Sequence, residues 1–435
     1  MNIALVDLND GVLGCNKDKT GTFGNRLSHG SWFARQCARV KHRFIKNPVV
    51  HLGYLAAIFR RDGHEVRYYE SKPRDEELVL IASSIVGYRE ELQFARSIQR
   101  PGRRIGFLGA FAGVRPELFL EEADFVVPGE PEAAAIEISR RNVDLKGTVP
   151  SPLIQDLDTL PFPDWSGFPV RSFRYFPTLK KSPVLPLLTS RGCSFDCDYC
   201  PYMVTQTSLW RARSPENVIR EIRYLKERFK ARSLIVRDIL YTQNRVRATE
   251  IAEWMIRENL DVEWSCETRA DCLDEVMLRT MRRAGLVAVH LGIETPRHDL
   301  VAGSGRIPIA DFKQERVIQV CRELGITVVA FYILGLPQDT RQSMHETIEY
   351  AKQLNTPVAQ FNIMTPYPGT RFYEAVKDRV ITDDWSRFTS YDPVFRWEHV
   401  SAGDVTAFKD RAYREYYLRT GWFARNWKQL WFAQY

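Results

Sequence analysis

Twice along this chain a short apolar run of strand length gives way to a helical stretch and then to another such run, and that alternation restricts the fold more than any other feature. In the first series "NIALVDL" (residues 2–8) is a brief apolar run ending in polar residues, and "PVVHLGYLAAIFRRDGH" (48–64) has helical spacing and closes at Gly63. "EVRYYES" then alternates as a strand does, and "LVLIASSIV", "ELQFARSIQR", "RIGFLGA", "LFLEEA" and "DFVVPGE" continue the rhythm. The pattern predicts an α/β fold over residues 1–145, a doubly wound, Rossmann-like parallel sheet whose ligand crevice lies beyond the carboxyl ends of its strands. A long polar stretch from Gly11 to Asn47 interrupts it, and a loop of that length is more often functional or mobile than decorative.

Residues 146–182 are rich in proline and short of periodicity, which reads as a linker. The second series occupies residues 183–375, with strands expected at "PLLTSRG", "SLIVRDI", "VEWSCET", "AVHLGIE", "TVVAFYILG" and "AQFNIMTPY". Helical stretches such as "SPENVIREIRYLKERF" and "RQSMHETIEYAKQL" separate them. Six such units are too few for a closed eight-unit barrel and predict a partial (β/α)6 barrel of the TIM type, with its chemistry at the carboxyl ends of the strands. Residues 376–435 are expected to form a C-terminal helical extension.

With 435 residues, 44% of them hydrophobic and 26% charged, the chain has the composition of a soluble protein of two or three domains. The apolar run at the N-terminus is broken by Asp7 and Asn9, so neither a signal peptide nor a membrane span is expected there, and the reading is cytoplasmic. A formal charge of +7 is modest for this length, and no nucleic-acid partner is expected from it. The tail "FKDRAYREYYLRTGWFARNWKQLWFAQY" (408–435) interleaves basic and aromatic residues. It reads as a helix packing its aromatics on the body, with Tyr416, Tyr417 and Trp427 placed to cover the open side of the partial barrel; the alternative is a surface for lipid headgroups or nucleic acid.

Eight cysteines are too sparse for a disulfide scaffold. Cys15, Cys37, Cys266, Cys272 and Cys321 have no informative spacing and read as buried or incidental thiols. Cys193, Cys197 and Cys200 fall within eight positions, in "RGCSFDCDYCPY". A structural zinc site would need a fourth ligand, and the closest histidine, His290, lies far outside the usual spacings. A 4Fe-4S cluster held by three thiolates instead leaves one iron open for a small molecule.

"CSFDCDYC" resembles the C-x3-C-x2-C signature of the radical S-adenosylmethionine superfamily, with Tyr199 as the expected aromatic before the third cysteine. The resemblance implies that the open iron chelates S-adenosylmethionine and that an electron from the cluster cleaves it to methionine and a 5′-deoxyadenosyl radical. It extends over residues 183–375. Asp238 in "LIVRDILYT" falls at the acidic strand end that approaches the ligand's amino group, although Arg237 replaces the first of two acids often found there. Glu294 in "HLGIET" falls near the ribose, Gly335 in "ILGLPQDT" on the adenine side, and Thr365 opens the sixth-strand motif "TPYPGT". Arg269 in "SCETRAD" sits where one large subgroup has a basic residue.

Residues 1–145 resemble the cobalamin-binding domain that precedes the catalytic domain in class B radical methyltransferases, through "PVVHLGYLAAIFRRDGHEVRYYES", "IASSIVGY" and "GFLGAFAGVRPELFLEEADFVVPGEPE". Ser83, Ser84, Gly109 and Ala110 lie at predicted strand ends, where small residues let a flat corrinoid and its nucleotide tail approach the backbone. No D-x-H-x-x-G is present, so a lower cobalt ligand of that kind is not expected, and His29, His51 and His64 each read as structural.

The two resemblances together imply methyl transfer to an unactivated carbon of a small-molecule, lipid or peptide substrate. One S-adenosylmethionine would methylate cobalamin and a second would yield the radical, with the electron supplied by an external donor such as flavodoxin or ferredoxin. The alternatives are a cyclisation or rearrangement without methyl transfer, and a non-catalytic cobalamin or cluster sensor. A methylthiotransferase would carry a second cysteine trio in the first domain, which Cys15 and Cys37 do not supply.

Overall fold

The structure is a computed structural model that describes residues 1–8, 17, 20, 23, 24 and 44–431, with side chains as far as 426. Most of the polar stretch from Gly11 to Asn47, including Cys15, His29 and Cys37, lies outside the described residues, as does the side chain of Trp427.

The first unit runs β1 (Asn2–Val6), β2 (Ile45–Lys46), α1 (Val50–Arg61), β3 (Glu65–Tyr69), β4 (Leu78–Ala82) and α2 (Tyr88–Ile98). It continues with β5 (Arg104–Leu108), α3 (Ala110–Val114), α4 (Pro116–Leu120), β6 (Phe125–Val127), α5 (Glu132–Ser139) and β7 (Gly147–Thr148). All strands but β2 form one parallel sheet in the order β3-β1-β4-β5-β6-β7. Ile3, Leu5, Leu78 and Leu80 face the core beneath α1, while Ala4, Val6, Val79 and Ile81 face the core beneath α2. Burial on both faces is why these strands read as continuous apolar runs. The order reverses between β1 and β4, and the crevice of a doubly wound sheet opens at such a switch point.

The proline-rich stretch that follows is a packed strap. Trp165, Phe168 and Phe173 are buried, Asp164 N–H donates to Gly53 O on α1 (3.0 Å), and Arg60 pairs with Asp164 at 2.6 Å. Gly53 is required there, since a Cβ would lie 2.7 Å from the Trp165 ring. Its two-residue strand β8 (Arg174–Tyr175) pairs antiparallel with β2. Irregular burial of this kind leaves no period to read in the sequence.

The second unit follows with β9 (Val184–Leu187), a small antiparallel ribbon of β10 (Ser190–Arg191) and β11 (Arg211–Ala212), α6 (Pro215–Phe229), β12 (Ser233–Val236) and α7 (Arg245–Arg257). Then come β13 (Glu263–Thr268), α8 (Glu275–Arg283), β14 (Leu286–Glu294), α9 (His298–Ala302), α10 (Asp311–Glu323), β15 (Thr327–Leu334), α11 (Arg341–Leu354), β16 (Val358–Ile363) and α12 (Arg371–Val376). Its six parallel strands lie in sequential order from β9 to β16, the expected partial barrel.

Helices α13 (Ala402–Tyr417) and α14 (Thr420–Trp431) close the chain, and α13 lies along the open edge at β16. Ala359 N–H donates to Tyr417 Oη (3.0 Å), which donates to Ala359 O (2.8 Å), and Phe361 N–H donates to Tyr413 Oη (3.3 Å). Four residues of helix and two of strand both advance about 6–7 Å, so hydroxyls at i and i+4 meet alternate strand residues. Edge groups that would otherwise invite a foreign strand are thereby used. Among the described residues no helix is long and apolar enough to cross a membrane.

Candidate functional site

A cavity of about 370 Å³ lies inside the barrel, from mid-strand to the carboxyl ends, and faces the first unit. Arg237, Glu267, His290, Glu294, Phe331 and Asn362 line it from the barrel strands, and Lys17, Phe23 and Asn47 line it from the first unit. Phe23 stacks on Tyr367 across the seam with ring centroids 4.8 Å apart. Lys17 reaches the switch point, donating to Ala82 O (2.6 Å) and pairing with Glu91 (2.9 Å) and Asp7 (3.5 Å).

The three cysteines share the loop after β10. Cys193 and Cys197 are buried and Cys200 is half-buried. Burial pushes all three thiols up, Cys200 to about 12, so ionisation there calls for a cation. Among the described residues no three His, Cys, Asp or Glu side chains converge on a single metal ion. Three thiols each binding a different iron of one cluster need no such convergence, so this donor set fits a cluster.

Two elements distant in sequence hold the loop. Arg371, directly after "TPYPGT", pairs with Asp196 (2.6 Å) and Asp198 (2.7 Å), and Phe372 N–H donates to Asp198 O (3.0 Å). Arg306 lies 3.2 Å from Glu294 and donates to Gly292 O (2.8 Å). Burial opposes the Arg306 cation, but Glu294, Tyr199 and Cys197 together hold its pKa above the ordinary value. Glu294 itself has φ +65, a backbone region uncommon for a side chain of this size and one that turns the strand end into the cavity. Nothing in sequence spacing pointed to Arg306 or Arg371.

Tyr199 lines the cavity with a buried hydroxyl that has no hydrogen-bond partner among the described residues, the kind of polar atom a bound ligand satisfies. Arg269 lies with its guanidinium 4.3 Å from the Phe195 ring of the cysteine loop and forks onto Asp271 (3.0 and 2.8 Å). Thr365, in the sixth-strand motif, lines the cavity.

Asp238 lies behind the cavity wall. Its carboxylate accepts from Thr189 N–H (2.7 Å), Thr189 Oγ1 (2.5 Å) and Ser190 Oγ (2.6 Å), is fully buried, and does not line the cavity. Neighbouring residues at a strand end face opposite ways, so Arg237 enters the cavity, where it pairs with Glu267 at 2.6 Å. Asp238 is a brace between β12 and the segment leading to the cysteines. Gly335 is likewise occupied from within the chain: its φ is +75, its carbonyl accepts from Trp397 Nε1 (2.6 Å), and a Cβ would lie 3.0 Å from the Trp397 ring.

In the first unit Ser83 and Ser84 follow β4, and Gly109 (φ +125) and Ala110 follow β5. Ser83 Oγ donates to Glu91 (2.7 Å), as does Ser84 N–H (3.2 Å), so both serines are engaged within the unit, and Gly109 and Ala110 are buried. None of these four residues lines the cavity; the first unit reaches it through Lys17, Phe23 and Asn47. His51 lies 2.7 Å from Glu132, and His64 Nε2 2.8 Å from Ser139 O; both are structural.

A buried ionic network that sequence reasoning missed joins the units. Arg191, two residues before Cys193, contacts Glu130 (2.8 Å) and Glu132 (2.9 Å), and Arg211 also pairs with Glu130. Burial alone would raise the Glu132 pKa, but Arg191 and His51 hold it well below the carboxylate range. The only trace in the sequence is the acid pair of "GEPE".

Residues 187–351 match the family model of the Radical SAM superfamily. An uncharacterized methyltransferase from Pyrococcus horikoshii is 27% identical over 86% of this chain and 88% of its own. An anaerobic magnesium-protoporphyrin IX monomethyl ester cyclase from Cereibacter sphaeroides is 28% identical over 71% of this chain, which spans 54% of the cyclase. In fold the chain is similar to TsrM, a radical S-adenosylmethionine methyltransferase from Kitasatospora setae solved with cobalamin and a [4Fe-4S] cluster. The TM-score is 0.63 at 14% identity, over 99% of this chain and 89% of that one.

Proposed function

We propose that the chain, whose residues 187–351 match the Radical SAM superfamily model, is a cobalamin-dependent radical S-adenosylmethionine enzyme that transfers a methyl group to an unactivated carbon. The observation that carries this reading is the shared cavity: strand ends around the cysteine loop and residues of a doubly wound unit line one space. Held by Cys193, Cys197 and Cys200, a 4Fe-4S cluster supplies a low-potential electron and an open iron, and cobalamin between the units supplies a methyl carrier.

The chain's own residues prepare that space. Arg306 and Arg269 lower the cost of thiolates in a buried loop. Tyr199 and Glu294 offer an acceptor and donor set at the cavity wall beside the cysteines. Arg371 and Asp238 fix the loop from either side, and the first unit closes the mouth and limits access of water to a reactive intermediate. An electron donor of the flavodoxin or ferredoxin kind, a reducing cytoplasm and a small-molecule, lipid or peptide substrate complete the reading.

The test uses the full chain, reconstituted anaerobically with iron, sulfide and cobalamin and supplied with reductant and S-adenosylmethionine. Both S-adenosylhomocysteine and 5′-deoxyadenosine are expected, in about equal amounts once a substrate is coupled, because methyl donation and radical formation consume different molecules. If 5′-deoxyadenosine forms while S-adenosylhomocysteine stays at background, the enzyme is a radical cyclase or rearrangement catalyst and the methyl-transfer reading is wrong.

A further inference from the structure

Inside the barrel, beyond the cysteine loop, lies a set of polar atoms that neither the scaffold nor the charge network uses. His290, on β14, is only 4% exposed and its Nε2 has no hydrogen-bond partner among the described residues. Asn47, contributed by the first unit, is also 4% exposed, and among the described residues both its Oδ1 and its Nδ2 are without partners. Both residues line the cavity. Leaving such atoms dry and unpaired costs about 1–3 kcal/mol each, a cost that a ligand with matching groups removes.

The charged side chains on the same walls are already paired within the chain: Arg237 with Glu267 (2.6 Å), Glu294 with Arg306 (3.2 Å) and Lys17 with Glu91 (2.9 Å). Burial, aided by the positive charge of Arg237, pulls the His290 pKa down to about 3, so at neutral pH the imidazole is uncharged, a donor at one nitrogen and an acceptor at the other. Tyr175 and Phe331 flank the ring, each with its centroid 5.9 Å away, and fix its plane. On β16 Gln360 donates to Asn362 Oδ1 (2.9 Å), extending the neutral surface with amide groups. Among the described residues of the wall a carboxylate or phosphate would meet no cation without an acidic partner, and a hydrocarbon chain would seal the polar atoms without satisfying them.

We infer that the part of the substrate held inside the barrel is a neutral group that both donates and accepts hydrogen bonds, an amide or lactam, seated against His290 and Asn47. The inference rests on the enzymatic reading above and narrows its substrate from small molecules, lipids or peptides in general to neutral amide-bearing molecules. Because His290 comes from the barrel and Asn47 from the first unit, such a group is gripped across the seam, and substrate binding draws the two units together.

The experiment measures binding to the full, cluster-loaded chain by equilibrium dialysis. The probes are benzene, naphthalene and indole carriers, each bearing a carboxamide, a carboxylate or a methyl group in the same position. On at least one carrier the carboxamide should bind about tenfold tighter than both partners, a difference of about 1.4 kcal/mol. That preference should disappear in His290→Phe and in Asn47→Leu, and survive in part in His290→Gln, with cluster absorbance and far-UV circular dichroism as in the unaltered protein. The inference is overturned if the carboxylate or methyl compound binds as well as the amide on every carrier, if no carrier shows a preference, or if the preference survives both truncating variants. A protein that forms no 5′-deoxyadenosine would fail the enzymatic reading instead, and the dialysis ranking would still decide the chemistry of the pocket.

Discussion

Arg306 lies 3.2 Å from Glu294 in a site where both side chains are largely withdrawn from water, and the pair links the end of β14 to the loop of Cys197. Removing one member of a buried pair leaves the other charge uncompensated, at a cost of about 3–5 kcal/mol. Arg306→Met should therefore lower the melting temperature and the iron content after reconstitution. In the double variant Glu294→Gln/Arg306→Met the melting temperature should recover in part, since no orphan carboxylate remains, while iron content stays low. Differential scanning calorimetry and an iron assay check the two effects; recovery of both together would mean that Arg306 acts only through Glu294.

Asp238 separates a brace from a ligand. Asp238→Ala leaves buried Thr189 N–H without an acceptor and removes two further hydrogen bonds. We expect a loss of stability of about 3 kcal/mol and weaker cluster retention. Asp238→Asn keeps an acceptor for the amide and should bind S-adenosylmethionine within about twofold of the unaltered protein. If the asparagine variant keeps its melting temperature and loses S-adenosylmethionine affinity by an order of magnitude, the carboxylate touches the ligand and the structural role assigned here is wrong.

The tail makes a prediction about an edge. Tyr417→Phe removes the one hydroxyl that serves both the amide and the carbonyl of Ala359, at an expected cost of about 1–2 kcal/mol in urea unfolding. Hydrogen exchange at Ala359 should accelerate, and in Tyr413→Phe the acceleration should move to Phe361. Unchanged exchange at both amides would show that the helix covers β16 by packing alone.

These residues also show how far the sequence could be read. The order of strands and helices was legible because burial on both faces of the sheets writes itself as apolar runs, and α11 begins and ends where its spacing says, at Arg341 and Leu354. The cysteine loop was legible because its chemistry is local. Arg306, Arg371 and the Arg191–Glu130–Glu132 network were not, because each joins segments far apart in the chain and a single charged residue carries no period. The placement of Asp238 is not legible for a smaller reason: one residue of register at a strand end decides which of two neighbours faces the cavity, and Arg237 does. The aromatic tail was expected to pack on the body, but that it would satisfy the backbone of an edge strand depends on a match of helix and strand rise that composition does not carry.

The last prediction concerns pH and follows from His290. Its pKa is about 3 in the folded chain against an ordinary 6.5, lowered by burial and then by Arg237, with the Tyr175 and Phe331 rings on either side. Between these two values the unfolded chain binds a proton that the folded chain does not, so stability falls as pH falls through that window, and the contribution is level above 6.5 and below 3. The slope for one proton is at most about 1.4 kcal/mol per pH unit, which makes the loss about 2 kcal/mol by pH 5. Other histidines and the carboxylates titrate nearby, so the quantity to compare is the difference between the unaltered protein and His290→Gln, measured by urea unfolding from pH 5 to 7.5. The glutamine variant should lose less stability on acidification, with the two curves running parallel above pH 7 and separating below 6.5. Parallel curves throughout would mean that the imidazole charges as readily inside the barrel as in water, and the cavity floor would then be a site for anions, against the neutral pocket inferred here.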